Sequence, residues 1–395
     1  MLVIREAKFA VKDGQIYLLG SASNDLFRNN LYQMGAVSIL GWQVSNAGLD
    51  FSKLQPLEEN DNLRVTLYPA SLPLIKKAKV IENVVKNADC LSLKFGLMDA
   101  LIACHYARKY RVPYVIESAS ETWEALWYHG GAPKYKLFAF PMEWLMRHYH
   151  RKAKYILYVS QFYLQKKYPS KAVQAGCSDA VLHPVEESVL QRRILKIEAL
   201  SADRTLTLGL IGAARVAYRG HDTLIRVMAK LRRAGYDVRV RFLGDDKGKE
   251  SHIAVAEREG VEEYVSFDGY RTQEGVFEWI DGIDILVMPT LQETLGRAVI
   301  EAMSRGCPVI GSAETALPEQ IGSDCIAPAR DVSKISEIVE RMILDNDYMK
   351  WCAYENYYRA KKYDSAVTNE QRRRFYQTFY RDNGIPANPR GKDRP

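Results

Sequence analysis

The sequence predicts an α/β protein built as two doubly wound halves. Three observations carry this. Short apolar strand runs alternate with stretches of helical period. Many of the runs stop at glycine, proline or another small residue. The alternation breaks off over 186–204 and then restarts.

In the first half, Gln15–Leu19 (QIYLL) alternates and enters the small-residue turn 20–23, so it reads as a strand. The turn, taken as 21–30, is a candidate contact for an acceptor or a phosphate. Segment 36–43 reads as a strand, and 63–68 (LRVTLY) as another that ends at Pro69. Segment 72–87 has helical period. Segments 90–94 and 112–117 are short strands that flank a helix over 97–110. An amphipathic helix over 142–153 and a strand over 155–159 follow, and Ser160 caps the next helix. Segment 186–204 is a helical, polar and charged stretch with no strand run, and reads as the domain link. In the second half, Leu206–Ile211, Val238–Leu243, Val265–Phe267, 283–288 and 308–311 read as strands. Helices are expected over 221–234, 253–260 and 297–305, with Gly306 at the C′ position of the last. A final helical stretch covers 348–380. The domains are then 1–185, a linker at 186–204, 205–362, a closing helix at 363–381 and a disordered Pro- and Gly-rich tail at 382–395.

Composition narrows the class. The chain has 395 residues, 47% hydrophobic and 26% charged, enough for two cores without disulfides. The six cysteines form no CxxC pair and read as reduced thiols. Arg5, Glu6 and Lys8 interrupt the apolar N-terminus, so no signal peptide is expected there. No apolar run of about 18 residues predicts a membrane span, which points to the cytoplasm. The net charge of +7 suits anionic substrates or the face of an anionic membrane. No nucleic-acid motif accompanies the charge.

The segment with the most chemistry is 289–311, PTLQETLGRAVIEAMSRGCPVIG. A strand ends at Pro289, and a loop carries Glu293, Thr294, Leu295 and Gly296. A helix then begins, with Glu301 about a turn and a half inside it. Its first backbone N–H groups and positive dipole end face the loop, suiting a phosphate or a sugar hydroxyl. Gly296 allows close approach to the backbone. Glu293 and Glu301 can face one cleft, and a carboxylate can take two hydroxyl donors at once. Asp345, Asn346 and Asp347 have DxD spacing but lie in a polar turn between helices, so they are not read as metal ligands.

Segment 289–311 resembles the signature of the family-four retaining glycosyltransferases of the GT-B fold. Glu293, Leu295, Gly296, Glu301, Ala302, Met303, Gly306, Pro308, Val309 and Ile310 stand in register with that pattern. The resemblance implies two Rossmann-like doubly wound domains facing across a cleft. Glu293 would hold donor-sugar hydroxyls, Thr294, Leu295 and Gly296 the diphosphate, and Glu301 the ribose. A second match is 208–225, LGLIGAARVAYRGHDTLI, with Gly212 and Gly220 in place and Arg219 where the family commonly has lysine. Arg219 would neutralise the diphosphate with a planar fork. Ala213 departs from the basic residue the family commonly has there, and Arg215 could reach in from a shifted position. Tyr270 or Arg271 would flank the base. On the acceptor side, Glu117 and His129 are candidates to line the cleft.

The activity implied is transfer of a sugar, with retention, from a nucleotide-diphosphate sugar to a glycan or polyprenyl-linked acceptor. Its setting is bacterial capsule, O-antigen or exopolysaccharide assembly at the inner face of the membrane. No metal or cofactor is implied. The competing readings are a degenerate, non-catalytic GT-B binding subunit and a GT-B nucleotide-sugar epimerase.

Overall fold

The computed structural model describes residues 1–19, 24–58, 60–96, 98–128, 133–184, 186–200 and 205–386. The chain divides into two units. The first comprises Met1–Thr122, Pro141–Cys177 and Thr368–Pro395, and the second Trp123–Phe140 and Ser178–Val367.

Among the described residues the first unit holds β1 (Leu2–Lys12), β2 (Gln15–Leu19), β3 (Val37–Gln43), β4 (Gln55–Pro56), β5 (Leu63–Pro69), β6 (Leu91–Phe95), β7 (Tyr114–Ser118), β8 (Tyr155–Tyr158) and β9 (Val173–Gly176). A parallel body runs β5-β3-β1-β6-β7-β8-β9, while β2 and β4 extend it through antiparallel pairings. The sequence pattern did not announce β1, because its charges disturb the alternation. The register of β1 on β3 shifts between Ile4 and Lys8, so the charged residues fall at an irregularity while Ile4 and Phe9 stay buried.

The core of this unit joins Phe9, Ile39, Val115 and Leu157 to Phe375, Tyr376, Phe379 and Tyr380 of the helix Ser365–Asp382. Burying each such large side chain contributes about 1.5–3 kcal/mol. The helix Ser365–Asp382 therefore completes the core of the first unit. The change of unit falls between Val367 and Thr368, a few residues after the expected start of the closing helix at 363. Ile385 packs on the same core, so the disorder expected from 382 does not hold at that residue. Residues 387–395 lie outside the described residues.

Among the described residues the second unit holds β10 (Leu206–Ile211), β11 (Val238–Leu243), β12 (Val265–Phe267), β13 (Ile285–Met288), β14 (Val309–Ser312) and β15 (Ile326–Ala327). All pair in parallel, in the order β12-β11-β10-β13-β14-β15. The order reverses between β10 and β13. Such a reversal opens a crevice at the carboxyl ends of the strands, where open α/β sheets take their ligands.

Three sequence expectations are corrected. Segment 186–204 is helical as expected but is not the boundary: the helix Glu187–Glu198 buries Val189, Leu190 and Ile197 within the second unit, which takes over at Ser178. Arg193 fastens this helix by donating to the backbone oxygens of Ile283 at 2.7 Å and Ile280 at 2.8 Å. Residues 201–204 lie outside the described residues. Segment 21–30 is not simply a turn, since the helix Asn24–Met34 occupies most of it and 20–23 lie outside the described residues. Segment 348–380 is two helices, Asn346–Ala360 and Ser365–Asp382, separated by a short turn. The Asp345 carboxylate caps the first of these by accepting from the Tyr348 amide at 2.8 Å. Among the described residues no helix is long and apolar enough to cross a membrane.

Candidate active site

The loops that leave β10 and β13 meet at the reversal of the second sheet. After β10 the chain passes Gly212 and makes one tight turn, Ala217–Arg219, which ends on Gly220. Gly220 has φ +89°, and a Cβ placed there would lie 2.4 Å from the Pro289 carbonyl oxygen. Only glycine gives both that backbone and that approach. The Leu291 amide donates to the Tyr218 carbonyl at 2.9 Å and ties the two loops together.

This contact brings Arg219 to Glu293. Arg219 Nη1 donates to Glu293 Oε2 at 2.7 Å, with the two side chains 26% and 18% exposed. At this exposure the pair is screened less by salt than a surface pair and is still open to a ligand.

The helix Arg297–Ser304 starts at Gly296, which has φ +65°. A Cβ at Gly296 would come within 2.6 Å of Leu317 and 2.7 Å of Gln320, so the loop lies tightly on the chain beneath it. Gln320, which is 2% exposed, donates from Nε2 to the Leu295 carbonyl. The Ala316 amide donates to the Glu293 carbonyl at 2.9 Å. Leu295 turns its side chain into the core at 6% exposure, so it can meet a ligand only through its backbone. Neither the helix at Gly220 nor the helix at Gly296 has a side-chain cap, so the caps leave the leading N–H groups of both without a side-chain acceptor.

Glu301 is half-buried on the second of these helices, and no described residue donates a hydrogen bond to its carboxylate. Burial pushes its pKa up, against a smaller opposing effect of Arg297. Burying an acceptor without partners is costly and suits a site completed by hydroxyl donors.

Other sequence candidates sit elsewhere. Arg215 pairs with Asp245 at 3.2 Å in the loop after β11, with 62% of its side chain exposed, rather than joining Arg219 and Glu293. Tyr270 follows β12 and is 86% exposed. In the first unit, Glu117 accepts from Ser92 Oγ at 2.8 Å and from the Tyr376 hydroxyl at 2.5 Å, and lies 3.4 Å from Arg372 Nη1. Burial pushes this carboxyl up, but Arg372, Tyr376, Arg5 and Ser92 together hold it below the usual range. Glu117 is thus a buried clamp between β7 and the closing helix, and its oxygens are already committed. His129 lies outside the described residues. The sequence reading missed Gln320, because it acts on a loop about 25 positions away and no short motif encodes that reach.

Residues 205–345 match the family model described as glycosyl transferases group 1. Protein CapJ of Staphylococcus aureus is 26% identical over 292 residues, covering 73% of this chain and 72% of CapJ. The 2-deoxystreptamine glucosyltransferase of Streptomyces kanamyceticus is 25% identical over 166 residues, 41% of each chain. Among solved structures, Anabaena HepE in complex with UDP-glucose aligns with a TM-score of 0.68 at 15% identity, covering 95% of this chain and 99% of HepE. The Arg219–Glu293 pair and these likenesses lead to one conclusion: the chain is a glycosyltransferase of the GT-B fold, and the part of it that is similar to the group 1 transferases, residues 205–345, lies in the second unit.

Proposed function

We propose that the chain transfers a sugar, with retention, from a nucleotide-diphosphate sugar to a glycan or lipid-linked acceptor in capsule or exopolysaccharide assembly. The observation that carries the reading is the Arg219–Glu293 pair at 2.7 Å between two uncapped helix starts. A departing diphosphate gathers negative charge, and Arg219 and the N–H groups after Gly220 and Gly296 meet that charge without reorganising. Glu293 takes hydroxyls of the donor sugar once the diphosphate engages Arg219. Glu301 takes the ribose. In this scheme charge neutralisation comes from the protein, so no resident metal or cofactor is assigned. The UDP-glucose bound by HepE supports a nucleotide-sugar donor, and the name of CapJ supports the capsule setting.

The helix Pro133–Lys152 supports a peripheral contact with an anionic membrane. In its first-unit portion Trp144 is 63% exposed, with Arg151 and Lys152 exposed further along. Binding to anionic vesicles at low salt, weakened in Trp144→Ala, checks this. Ala213 favours a second reading, a binding subunit without turnover.

Incubation with UDP-glucose, GDP-mannose and ADP-glucose, reading nucleotide release and the anomeric configuration of the product, separates the readings. Release with retention from one donor, cut about 100-fold or more in Arg219→Ala, supports catalysis. Tight donor binding without release in the presence of acceptor extracts supports the binding subunit.

A further inference from the structure

His252 stands in the first turn of the helix Glu250–Glu259 and is 6% exposed. Its Nδ1 lies 2.5 Å from Asp222 Oδ1, and its Nε2 lies 2.8 Å from the Ala214 carbonyl oxygen. A carboxylate and a carbonyl can only accept. Both ring nitrogens must therefore carry a proton, and the ring satisfies both partners only as an imidazolium. Ala214 belongs to the loop that leaves β10 toward Arg219. Its amide donates to the Asp245 carbonyl at 2.8 Å, so this residue is gripped from two sides.

The surroundings keep the charge on this ring. His221, 1% exposed, stacks on it with ring centroids 4.7 Å apart and planes 17° apart. Burial first, and then the neighbouring His252, push the His221 pKa down to about 3, so His221 stays neutral. Phe242 lies against His221 and Phe267 against His252. Arg226 acts on Asp222 and Arg219 on His221, while the helix of His252 begins with Lys249 and Glu250. Burial opposes the charge on His252, but the Asp222 hydrogen bond, the Ala214 carbonyl and the Asp222 charge outweigh it and raise the pKa.

We infer that His252 is a positioning residue for the loop 212–215, an imidazolium that locks the loop between Asp222 and Asp245 and sets a fixed positive charge behind the diphosphate. This rests on the reading that the loops after β10 and β13 hold the donor diphosphate. A raised pKa means the cation is present below it and is lost as pH rises through it. Donor affinity falls with that loss. The Asp222 carboxylate sets where the loss occurs.

UDP-glucose is the probe, because its diphosphate does not titrate near neutral pH; GDP-mannose and ADP-glucose are run beside it. Affinity is measured by calorimetry from about pH 6 to about pH 9. The wild type is expected to lose about tenfold in affinity along one titration. Asp222→Asn keeps an acceptor in place without the charge and moves the loss to lower pH. His252→Gln binds weakly and without the titration. Thermal melting and circular dichroism establish that each variant is folded. A flat wild-type profile, or a folded Asp222→Asn variant that titrates like the wild type, overturns the inference and leaves the donor site standing. No binding of any of the three by the wild type overturns the donor-site reading, and this inference with it. Nitrogen-15 spectra of the wild-type His252 ring give a test that needs no variant. Two protonated nitrogens at neutral pH are expected, and one bare nitrogen overturns the inference.

Discussion

Arg219 and Glu293 hold each other at 2.7 Å, so each side chain is fixed by the other. On the proposed reading, replacing Arg219 with alanine removes the charge that would meet the leaving diphosphate, and it takes from Glu293 its 2.7 Å partner. We predict a loss of about 3–4 kcal/mol of transition-state stabilisation, seen as a fall in kcat larger than the rise in KM. Arg219→Lys keeps the charge but not the fork, and recovers part of the rate. Glu301 behaves differently, because burial disfavours its charged form and raises its pKa. With the folded pKa raised, the group favours folding below its unfolded pKa, and that benefit is lost as pH rises through the folded value. At neutral pH Glu301→Gln therefore stabilises the ligand-free protein, by about 2 °C if roughly 1 kcal/mol is regained. The same change weakens the donor, so melting temperature and donor affinity move in opposite directions. These residues were legible in the sequence because glycine and proline punctuation fixes the loop and helix around them. Glu117 was legible as a charged residue at a strand end, but not its use. Its partners Arg372 and Tyr376 lie more than two hundred positions away, and only the fold brings them together.

At the scale of elements, the strand ends carry the chemistry and the helices hold them in place. The strands β10 to β14 of the second sheet could be read to within about two residues, since each is a short apolar run, whereas the two-residue β15 is too short to leave a pattern. The helix Gln273–Gly282 escaped because Gly275 and Gly282 interrupt its pattern, although Trp279 and Ile280 bury its inner face. The closing helix Ser365–Asp382 is tied to the first unit by Phe375 and Phe379. Phe379→Ala is predicted to destabilise that unit by about 3–5 kcal/mol, measured by denaturant unfolding. A second test concerns acid. His150 is buried, stacks on Tyr168, donates from Nδ1 to the Met146 carbonyl at 2.7 Å and accepts from Ser118 Oγ at Nε2. Burial lowers its pKa to about 4. A depressed folded pKa gives stability that is complete above the unfolded value of about 6.5 and is lost as pH falls toward 4. The first unit is expected to lose about 3 kcal/mol across that interval, and His150→Leu flattens the dependence.

For the whole molecule, the proposed donor site lies in the second unit alone, where every element around Arg219, Glu293 and Glu301 belongs to Ser178–Val367. The sequence revealed this unit through a signature of spaced glycines and carboxylates. It said far less about the first unit, because that unit is held by burial and by long-range polar clamps that leave no short motif. Thermal stability against UDP, GDP, ADP and their sugars addresses the assignment most directly. Saturating a native site at about 100 times its Kd adds roughly 2.7 kcal/mol. One nucleotide and its sugar should raise the melting temperature of the second unit by several degrees, and the shift should vanish in folded Arg219→Ala and Glu301→Ala variants. The same shift with any nucleotide, or a shift that survives both substitutions, would contradict a donor site built on these residues.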